Sequence, residues 1–354
     1  MKDKRGLFAP WPTTPKKGWL PGEVDIGALT WRVDKEARQA LLSLVDQCKA
    51  KGLGVEDITL DDFRHPVVDE GLARMERVMK YGPGLAFIAD LPFDERPVDD
   101  IWMMYWGIGT HFGRAASQNR RGELRGEVKV QEGAVAGRAY SHAGGLTLHA
   151  DRIDILSLFC IRKPLSGGEN IFASTLKIWD ICAAERPGII PTLLRGFRQH
   201  RMGENLRLGD DATTYPVPVF SEVNGLRSTL FSGNAHLSHV KKYFADELTP
   251  EEEEALAFME AVRDREELAL RHTLDLGEAV FINNYELAHS RGAFTDGEDE
   301  AHKRRLLRLW LEAVPERPKP QAMDVMRNPS GRQGIDGWTE QRWAVERALK
   351  EPAE

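Results

Sequence analysis

Two residues with different chemistry stand close together at the start of an apolar run. In LTLHADRIDILSLFCI (146–161), His149 precedes Asp151 by two positions, and mostly apolar residues follow. On a β-strand, residues two apart project to the same side, so the imidazole and the carboxylate converge. Such a pair provides two of the three ligands of a two-histidine, one-carboxylate iron site. His149 and Asp151 are therefore candidate metal ligands.

The pair alone is weak evidence for a metal site. The chain has 10 histidines and 55 acidic residues among 354 residues, so random order would give about 1.6 His-x-acid pairs. One is present, at His149. A surface pair or a structural hydrogen bond is the simpler alternative, and the rest of the chain has to decide.

Further chemically relevant residues lie more than one hundred positions later. His289 follows a strand-like segment, AVFINN (279–284), and Arg304 comes fifteen residues after it in RRLLRLWLEA. Alternation along that strand places Arg304 and Arg308 on one face and Arg305 on the other. An inward guanidinium stays charged and needs an anion, because unpaired burial costs several kcal/mol. A dicarboxylate cosubstrate would meet that need.

The surrounding pattern predicts a β fold with helices around it. Strands are predicted at 85–91, 126–131, 171–174, 279–284 and 305–313, in addition to the apolar run after Asp151. Helices are predicted at 36–52, 71–82, 98–113, 174–185, 249–264 and 337–351. Because strands and helices do not alternate regularly, a doubly wound nucleotide fold is disfavoured. The pattern favours a mainly β (α+β) sandwich or jelly roll with flanking helices.

Composition and charge exclude several classes of protein. The chain is 42% hydrophobic and 29% charged, its net charge is −7, and its pI is about 5.9. No basic, aromatic-interleaved cluster is present, so a nucleic-acid partner is not expected. No apolar signal region or membrane-length segment is seen. The scattered cysteines (Cys48, Cys160, Cys182) are typical of reduced core residues. These features predict a cytoplasmic protein without a membrane partner.

Several motifs in order resemble one family. HAD (149–151), SGGEN (166–170), FINNYELAHSRGAF (281–294) and RRLLRLWL (304–311) resemble the TauD/TfdA family of Fe(II)- and 2-oxoglutarate-dependent dioxygenases. GLAFIADLP (84–92) and YWGIGTHFGRAASQN (105–119) extend the similarity over most of the chain. The resemblance implies a double-stranded β-helix, the jelly roll of cupin-like and clavaminate synthase-like proteins.

The resemblance also implies roles for individual residues. His149, Asp151 and His289 would bind the iron, and Arg304 would bind the distal carboxylate of 2-oxoglutarate. Asn170 stands where the family often has threonine, and both side chains can donate a hydrogen bond. The candidate substrate contacts are Arg308, Gln118, Asn119 and His142.

The implied reaction uses Fe(II), 2-oxoglutarate and O2, and releases succinate and CO2. It oxidises an unactivated C–H bond of a small organic molecule, an anionic one if Arg308 contacts it. Because Asp151 fills the position that halogenating relatives leave open for chloride, hydroxylation is favoured over halogenation. Desaturation and ring formation remain open.

The predicted organisation is one domain over 1–354, with an extended N-terminal arm (1–30) and a C-terminal helical extension (320–354). A domain boundary between His149 and Arg308 would split the predicted site. Two alternatives remain at this stage: a metal-dependent hydrolase or isomerase, and a non-catalytic binding module, both on a cupin-like barrel. The sequence leaves the prime substrate undetermined, and a homo-oligomer is open.

Overall fold

A computed structural model describes residues 7–94, 96–130, 143–202, 204, 211–232, 235–327, 333–335 and 337. The helix predicted over 337–351 lies outside these residues from its second position onward, as does His142. The described strands are β1 Thr30–Arg32, β2 Leu85–Ala89, β3 Gly113–Ala115, β4 Arg125–Val128, β5 Ile155–Arg162, β6 Ser166–Gly167, β7 Asn170–Ser174, β8 Phe220–Val223, β9 Leu226–Thr229, β10 Leu270–His272, β11 Ala279–Asn283, β12 Leu287–Arg291, β13 Phe294–Thr295 and β14 Arg305–Ala313.

The α-helices begin where capping residues predict them. The described helices are α1 Lys35–Ala50, α2 Pro66–Tyr81, α3 Val98–Thr110, α4 Thr175–Glu185, α5 Ile190–Arg195, α6 Leu237–Phe244 and α7 Pro250–Arg263. The Ser174 side chain accepts from the backbone N–H of Lys177 and starts α4. Thr249 and Glu252 form a reciprocal capping box at α7, with Pro250 at the first helical position. Helix α2 is longer than the helix predicted over 71–82, because it begins at Pro66.

The larger sheet is built around β14. Its strand order is β1-β2-β11-β5-β14-β3, and β4 also pairs with β14. β14 runs antiparallel to β5, with Leu306 opposite Cys160 and Leu311 opposite Ile155. The ladder shifts register between Arg305 and Leu306. Its central place in the sheet explains why eight of its nine residues are buried.

A smaller sheet of order β10-β7-β12 faces the larger one. Side chains of both sheets meet in one apolar cluster, which includes Leu158 and Ile282 from the larger sheet and Phe172 from the smaller. Because side chains alternate, Phe281 points the opposite way and packs in a second cluster with the helices. Two sheets closed over a shared core are the predicted jelly roll.

Helices cover the outer faces of both sheets. The first three helices pack on the larger sheet through an apolar cluster that includes Leu41, Met75 and Tyr105. α4 and α7 pack behind the smaller sheet through Ile178 and Met259, among others. The predicted flanking helices that fall within the described residues are confirmed, whereas the helix predicted over 337–351 stays a prediction. No helix in the described segments is both long and apolar enough to cross a membrane.

The described part of the N-terminal arm runs along the body of the protein. Before β1 it contains one short 3-10 turn, Pro21–Glu23. Trp11 is buried, and its indole N–H donates to the carbonyl of Pro315 at 2.9 Å. The buried Lys80 donates to the carbonyl of Ala9 at 2.7 Å. The arm is thus anchored to the first helical layer.

Candidate metal centre

Backbone pairing brings the two predicted histidine ligands together. His149 and His289 form an isolated antiparallel bridge in which each N–H donates to the other's carbonyl, at 3.0 and 2.7 Å. The two imidazole rings have centroids 4.6 Å apart. His289 lies within β12, which pairs with β7, so the smaller sheet fixes its position. Residues 140 apart in the sequence therefore become neighbours through two backbone hydrogen bonds.

Asp151 completes a group that can hold a metal ion. One potential ligand atom from each of His149, Asp151 and His289 lies within 4.8 Å of the others. The Nε2 atom of His149 is 3.9 Å from the Oδ1 atom of Asp151. Across the part of the chain that the structure describes, this is the one such group of three. The spacing in the sequence predicted that His149 and Asp151 converge, and the family resemblance predicted that His289 joins them.

Hydrogen bonding and burial prepare the two imidazoles for a metal. The Nδ1 atom of His149 lies 2.8 Å from the carbonyl oxygen of Thr147. A carbonyl can only accept, so Nδ1 carries the proton and Nε2 keeps its lone pair. The Nδ1 atom of His289 is enclosed and has no hydrogen-bond partner among the described residues. Burial first, and then the electrostatic influence of His149, lowers the pKa of His289 to about 3. The His289 ring is therefore available as a neutral ligand.

The Asp151 carboxylate is kept ionised inside the protein. Burial alone would raise its pKa, but the electrostatic influence of His289 and Arg308, together with a hydrogen bond, outweighs burial and lowers the pKa. The indole N–H of Trp310 also donates to Oδ2 of Asp151 at 2.8 Å. This bond orients the carboxylate and leaves Oδ1 facing His149.

The three residues lie on the wall of a cavity of about 300 Å³. This volume falls at the lower end of the range for small-molecule sites. Apolar side chains from both sheets form much of the wall, including Val128, Leu146, Leu156, Leu158, Phe172, Ile282 and Leu306. The charged lining residues besides Asp151 are Arg152, Glu204, Arg291, Arg304 and Arg308. The cavity is apolar with a few charged groups, as expected for a binding site.

Arg304 brings an unpaired positive charge into this cavity. The residue is 4% exposed, and its Nη1 atom has no hydrogen-bond partner among the described residues. Its guanidinium makes no ion pair within the same residues, and it lies 5.4 Å from the Phe294 ring centroid. Burial and the neighbouring Arg291 lower the pKa of Arg304 to about 10. The group stays charged at neutral pH, so an anion is needed beside it.

Asn170 and a glycine turn adjoin Arg304. Asn170 lies opposite Arg291 in the β7–β12 ladder and lines the cavity. Its Nδ2 atom donates to the carbonyl of His272 at 3.4 Å. Gly168 has φ +77°, and a Cβ there would lie 3.4 Å from Nε of Arg304. The SGGEN motif thus forms a tight wall against the guanidinium.

Of the predicted substrate contacts, Arg308 lines the described cavity, whereas Gln118 and Asn119 do not. Arg308 lines the cavity, and its Nε atom donates to Oε1 of Gln118 at 2.6 Å. Gln118 and Asn119 are not among the described residues that line this cavity, and their role as substrate contacts stays a prediction. Gln118 folds back and donates to the carbonyl of Arg308 at 3.0 Å. Asn119 instead caps its own turn, accepting from the N–H of Arg121. His142 lies outside the described residues.

Sequence reasoning missed four residues of the site: Trp310, Arg291, Arg152 and His236. For two of them a signal was present. Trp310 shares the inward face of β14 with Arg304 and Arg308, and Arg291 is two positions after His289. Arg152 and His236 gave no comparable signal, because irregular segments place them.

Comparison with known proteins identifies the family. The model of the family described as "Taurine catabolism dioxygenase TauD, TfdA family" matches residues 46–310. The chain belongs to the TauD/TfdA family. This membership confirms the resemblance found in the sequence, and it makes the protein a non-haem iron dioxygenase.

Two relatives are similar in sequence to this TauD/TfdA member over most of its length. FR-33289 synthase from Streptomyces rubellomurinus is 27% identical over 333 residues, which is 89% of this chain and 95% of the relative. The taurine hydroxylase-like protein SAT17 from Stachybotrys chartarum is 25% identical over 281 residues, covering 73% of this chain and 68% of SAT17.

Solved structures share the fold at low sequence identity. Asparagine oxygenase, in complex with Fe(II), 3-hydroxyasparagine and succinate, aligns with a TM-score of 0.64 at 16% identity, covering 87% of this chain and 99% of that one. The non-haem iron oxygenase OrfP, in complex with Fe and α-ketoglutaric acid, aligns at 0.61 and 14% identity, covering 86% and 99%. The family and the buried Arg304 favour the dioxygenase over the hydrolase, isomerase and binding-module alternatives.

Proposed function

We propose that the protein hydroxylates a C–H bond of a small organic molecule, with iron held by His149, Asp151 and His289. Arg304 binds the distal carboxylate of 2-oxoglutarate, and Asn170 assists it. The observation that carries this proposal is the placement of the two-histidine, one-carboxylate group and an unpaired guanidinium on the wall of one cavity.

The donor set suits ferrous iron. Two neutral imidazoles and one carboxylate form the ligand set of mononuclear iron oxygenases, and they leave positions for a chelating keto acid and oxygen. One potential ligand atom from each of the three residues lies within 4.8 Å of the others, and Nε2 of His149 is 3.9 Å from Oδ1 of Asp151, a spacing that a shared cation can bridge. With iron bound, O2 would be the oxidant and 2-oxoglutarate the co-reductant: one oxygen atom would enter the C–H bond and the other would enter succinate, with release of CO2.

The residues of the chain position the reactants and exclude water. The guanidinium of Arg304 stabilises one end of the cosubstrate, and the positive Arg291 lies beside it. Two adjacent cations repel each other, and a carboxylate between them would relieve that repulsion. The apolar side chains of the cavity wall, which include Leu156 and Ile282, exclude water from the reacting centre. Together these groups hold a keto diacid in one orientation.

A small molecule is the substrate class that fits the cavity. Asparagine oxygenase and OrfP have structures with hydroxylated amino acids, 3-hydroxyasparagine and 3-hydroxyarginine. A volume of about 300 Å³ accommodates a molecule of that order. Hydroxylation is the outcome that the retained Asp151 carboxylate favours.

Anaerobic binding and turnover test this function. The wild-type protein should bind Fe(II) and 2-oxoglutarate together, detected by the absorbance of the chelate. On admission of oxygen it should release succinate, faster with a productive member of a substrate panel. His149→Ala should abolish the chelate and succinate release.

The matched control is His302→Ala, because His302 is exposed and paired with Asp299 outside the cavity. This variant should behave as wild type. Wild-type protein that binds neither Fe(II) nor 2-oxoglutarate would refute the proposal. A His149→Ala variant that still forms the chelate would refute the ligand assignment.

A further inference from the structure

The segment that carries two of the candidate metal ligands depends on a side chain for its position. Residues 149–151 lie ahead of β5 and outside the named strands. The backbone N–H groups of the first two donate to backbone carbonyls at 3.0 and 2.9 Å. The N–H of the third, Asp151, donates to Oδ1 of Asn284 at 3.3 Å. Of these three bonds, the one at Asp151 alone can be removed by changing a side chain.

Asn284 connects this segment to the turn that leads to the third ligand. It lies between β11 and β12, five residues before His289. Its backbone N–H donates to the carbonyl of Asp154 at 3.0 Å. The buried Asp154 carboxylate in turn accepts from the backbone N–H of Ala313, the last residue of β14, at 3.0 Å. The backbone of Asn284 is thus fixed, and its side chain can support Asp151 rigidly.

The Asn284 amide uses its oxygen and leaves its nitrogen unused. The residue is 1% exposed, and its Nδ2 atom is enclosed without a hydrogen-bond partner among the described residues. A backbone N–H can only donate, so the amide oxygen has to face Asp151. Enclosing a donor without a partner destabilises a fold, and an apolar residue of the same size would avoid that cost. The value of asparagine at this position therefore lies in its oxygen.

Asp151 is held at two points. Trp310 donates to Oδ2 of its carboxylate, and Asn284 holds its backbone. The other oxygen, Oδ1, lies 3.9 Å from Nε2 of His149. Ligand groups of a metal site have to stay within about 0.5 Å of their productive positions. A small shift of the Asp151 backbone would therefore be enough to spoil the three-residue group.

We propose that Asn284 is a positioning residue that sets the distance between the Asp151 carboxylate and the two imidazoles. It does not bind the metal, and it acts through the backbone of Asp151. This inference rests on the proposed function, because it takes His149, Asp151 and His289 to hold the iron.

Co(II) binding tests the role of Asn284. The absorbance bands of this ion report the number and geometry of its ligands, and titration gives its affinity. Asn284→Leu keeps the size of the side chain and removes the oxygen. The affinity should fall about tenfold, the lower end of the usual range for groups that orient a ligand, because a bond of 3.3 Å is longer than the ordinary one. The bands should shift as well. Asn284→Ala is a second variant, with the same expected result.

Asn283→Leu is the matched control. Asn283 is also fully buried, and its Nδ2 atom also has no hydrogen-bond partner among the described residues. Its Oδ1 atom accepts from the backbone N–H of Tyr285 at 3.2 Å and so serves the turn itself. Urea unfolding measures stability in all variants. Asn283→Leu should change stability and keep the wild-type affinity and bands for Co(II).

A double-mutant cycle separates positioning from a general structural effect. In an Asp151→Ala background there is no carboxylate to position. Asn284→Leu should therefore cause no further loss of Co(II) affinity there, although it costs about tenfold in the wild-type background.

The outcomes separate this inference from the proposed function. Unchanged Co(II) affinity and bands in the Asn284 variants, an equal loss in Asn283→Leu, or independent losses in the cycle would each overturn the role of Asn284 and leave the dioxygenase intact. Asn284→Leu and Asn284→Ala proteins that are both unfolded without urea would also overturn it, because the side chain would then be required for folding. Wild type that binds neither Fe(II) nor Co(II) would instead refute the proposed function.

Discussion

Removal of the Trp310 indole donor should weaken metal binding while the fold is kept. Trp310 is 7% exposed, and its indole N–H donates to the Asp151 carboxylate at 2.8 Å. Trp310→Phe keeps an aromatic ring in the apolar core and deletes that donor. The Oδ2 atom of Asp151 would lose this donor, and the carboxylate would no longer be held in one orientation.

The expected loss follows from the type of bond. A hydrogen bond to a charged group contributes about 1.5–3 kcal/mol. One factor of ten corresponds to about 1.4 kcal/mol. The affinity for Fe(II) should therefore fall about ten- to a hundredfold, the range found for groups that orient a ligand. The pKa of Asp151 should rise, because this bond is one of the interactions that lower it.

Trp106→Phe provides a matched control. Trp106 is also 7% exposed, and its indole N–H donates to the carbonyl of Ile58 at 3.0 Å in the helical layer. Both variants should lose stability, whereas only Trp310→Phe should lose metal affinity. Anaerobic Fe(II) titration by calorimetry measures the affinity, and urea unfolding measures the stability. Equal metal affinity in Trp310→Phe and wild type would refute the argument, as would an equal loss in Trp106→Phe.

Three further predictions follow from the site and its surroundings. Anaerobic Fe(II) at a hundredfold excess over its Kd should stabilise wild type by about 2.7 kcal/mol in thermal unfolding; chelation should remove this gain, and His149→Ala should never show it. Gly168→Ala should weaken 2-oxoglutarate severalfold with Fe(II) affinity unchanged in calorimetry, because φ is +77° and the new Cβ would lie 3.2 Å from Phe294 and 3.4 Å from Arg304. Burial above all lowers the pKa of His239 to about 4, so the unfolded chain gains a proton below about pH 6.5 before the native state does. Urea unfolding should therefore show stability falling from pH 6.5 toward 4, less steeply in His239→Gln.

Local sequence patterns predicted the elements of the fold because their causes are local. β14 has the bounds that alternation predicted, Arg305–Ala313, and the capping box at Thr249 marks the start of α7. Helix α2 was predicted too short, since its first turn carries Pro66 but little apolar periodicity. The pairing order of the strands was not predicted, because the ladder partners of β14 come from separate parts of the sequence.

The candidate metal ligands were predictable for a different reason. The spacing of His149 and Asp151 places both on one side of an extended segment, whatever the rest of the chain does. His289 could be predicted only from the family resemblance. An isolated β-bridge pairs it with His149, although the two residues are 140 positions apart in the sequence. The motif order supplied that long-range information.

Gln118 shows that a motif can mark the right region while the surrounding strands decide what the side chain contacts. It belongs to a family-like stretch, and the structure does connect it to the site, through Nε of Arg308 at 2.6 Å. Whether its side chain faces the cavity or the strand behind it depends on the antiparallel pairing of β3 and β4 with β14. That pairing buries Gln118 against the β14 backbone, where its amide satisfies two carbonyls. Gln118 thus holds the cavity residue Arg308 in place and is not among the described residues that line the cavity.

One face of β14 therefore organises the whole site. Arg304, which directly precedes β14, and Arg308 and Trp310 within it all line the cavity. In the proposed function they serve in turn the cosubstrate end, the centre and the Asp151 carboxylate. A shift of one residue in the β5–β14 ladder would turn all three away from the cavity and replace them with Arg305, Leu307 and Leu309. Metal affinity and cosubstrate affinity should thus depend on the same strand register, although they use different side chains. The register shift between Arg305 and Leu306 lies just where the first of these side chains must enter the cavity.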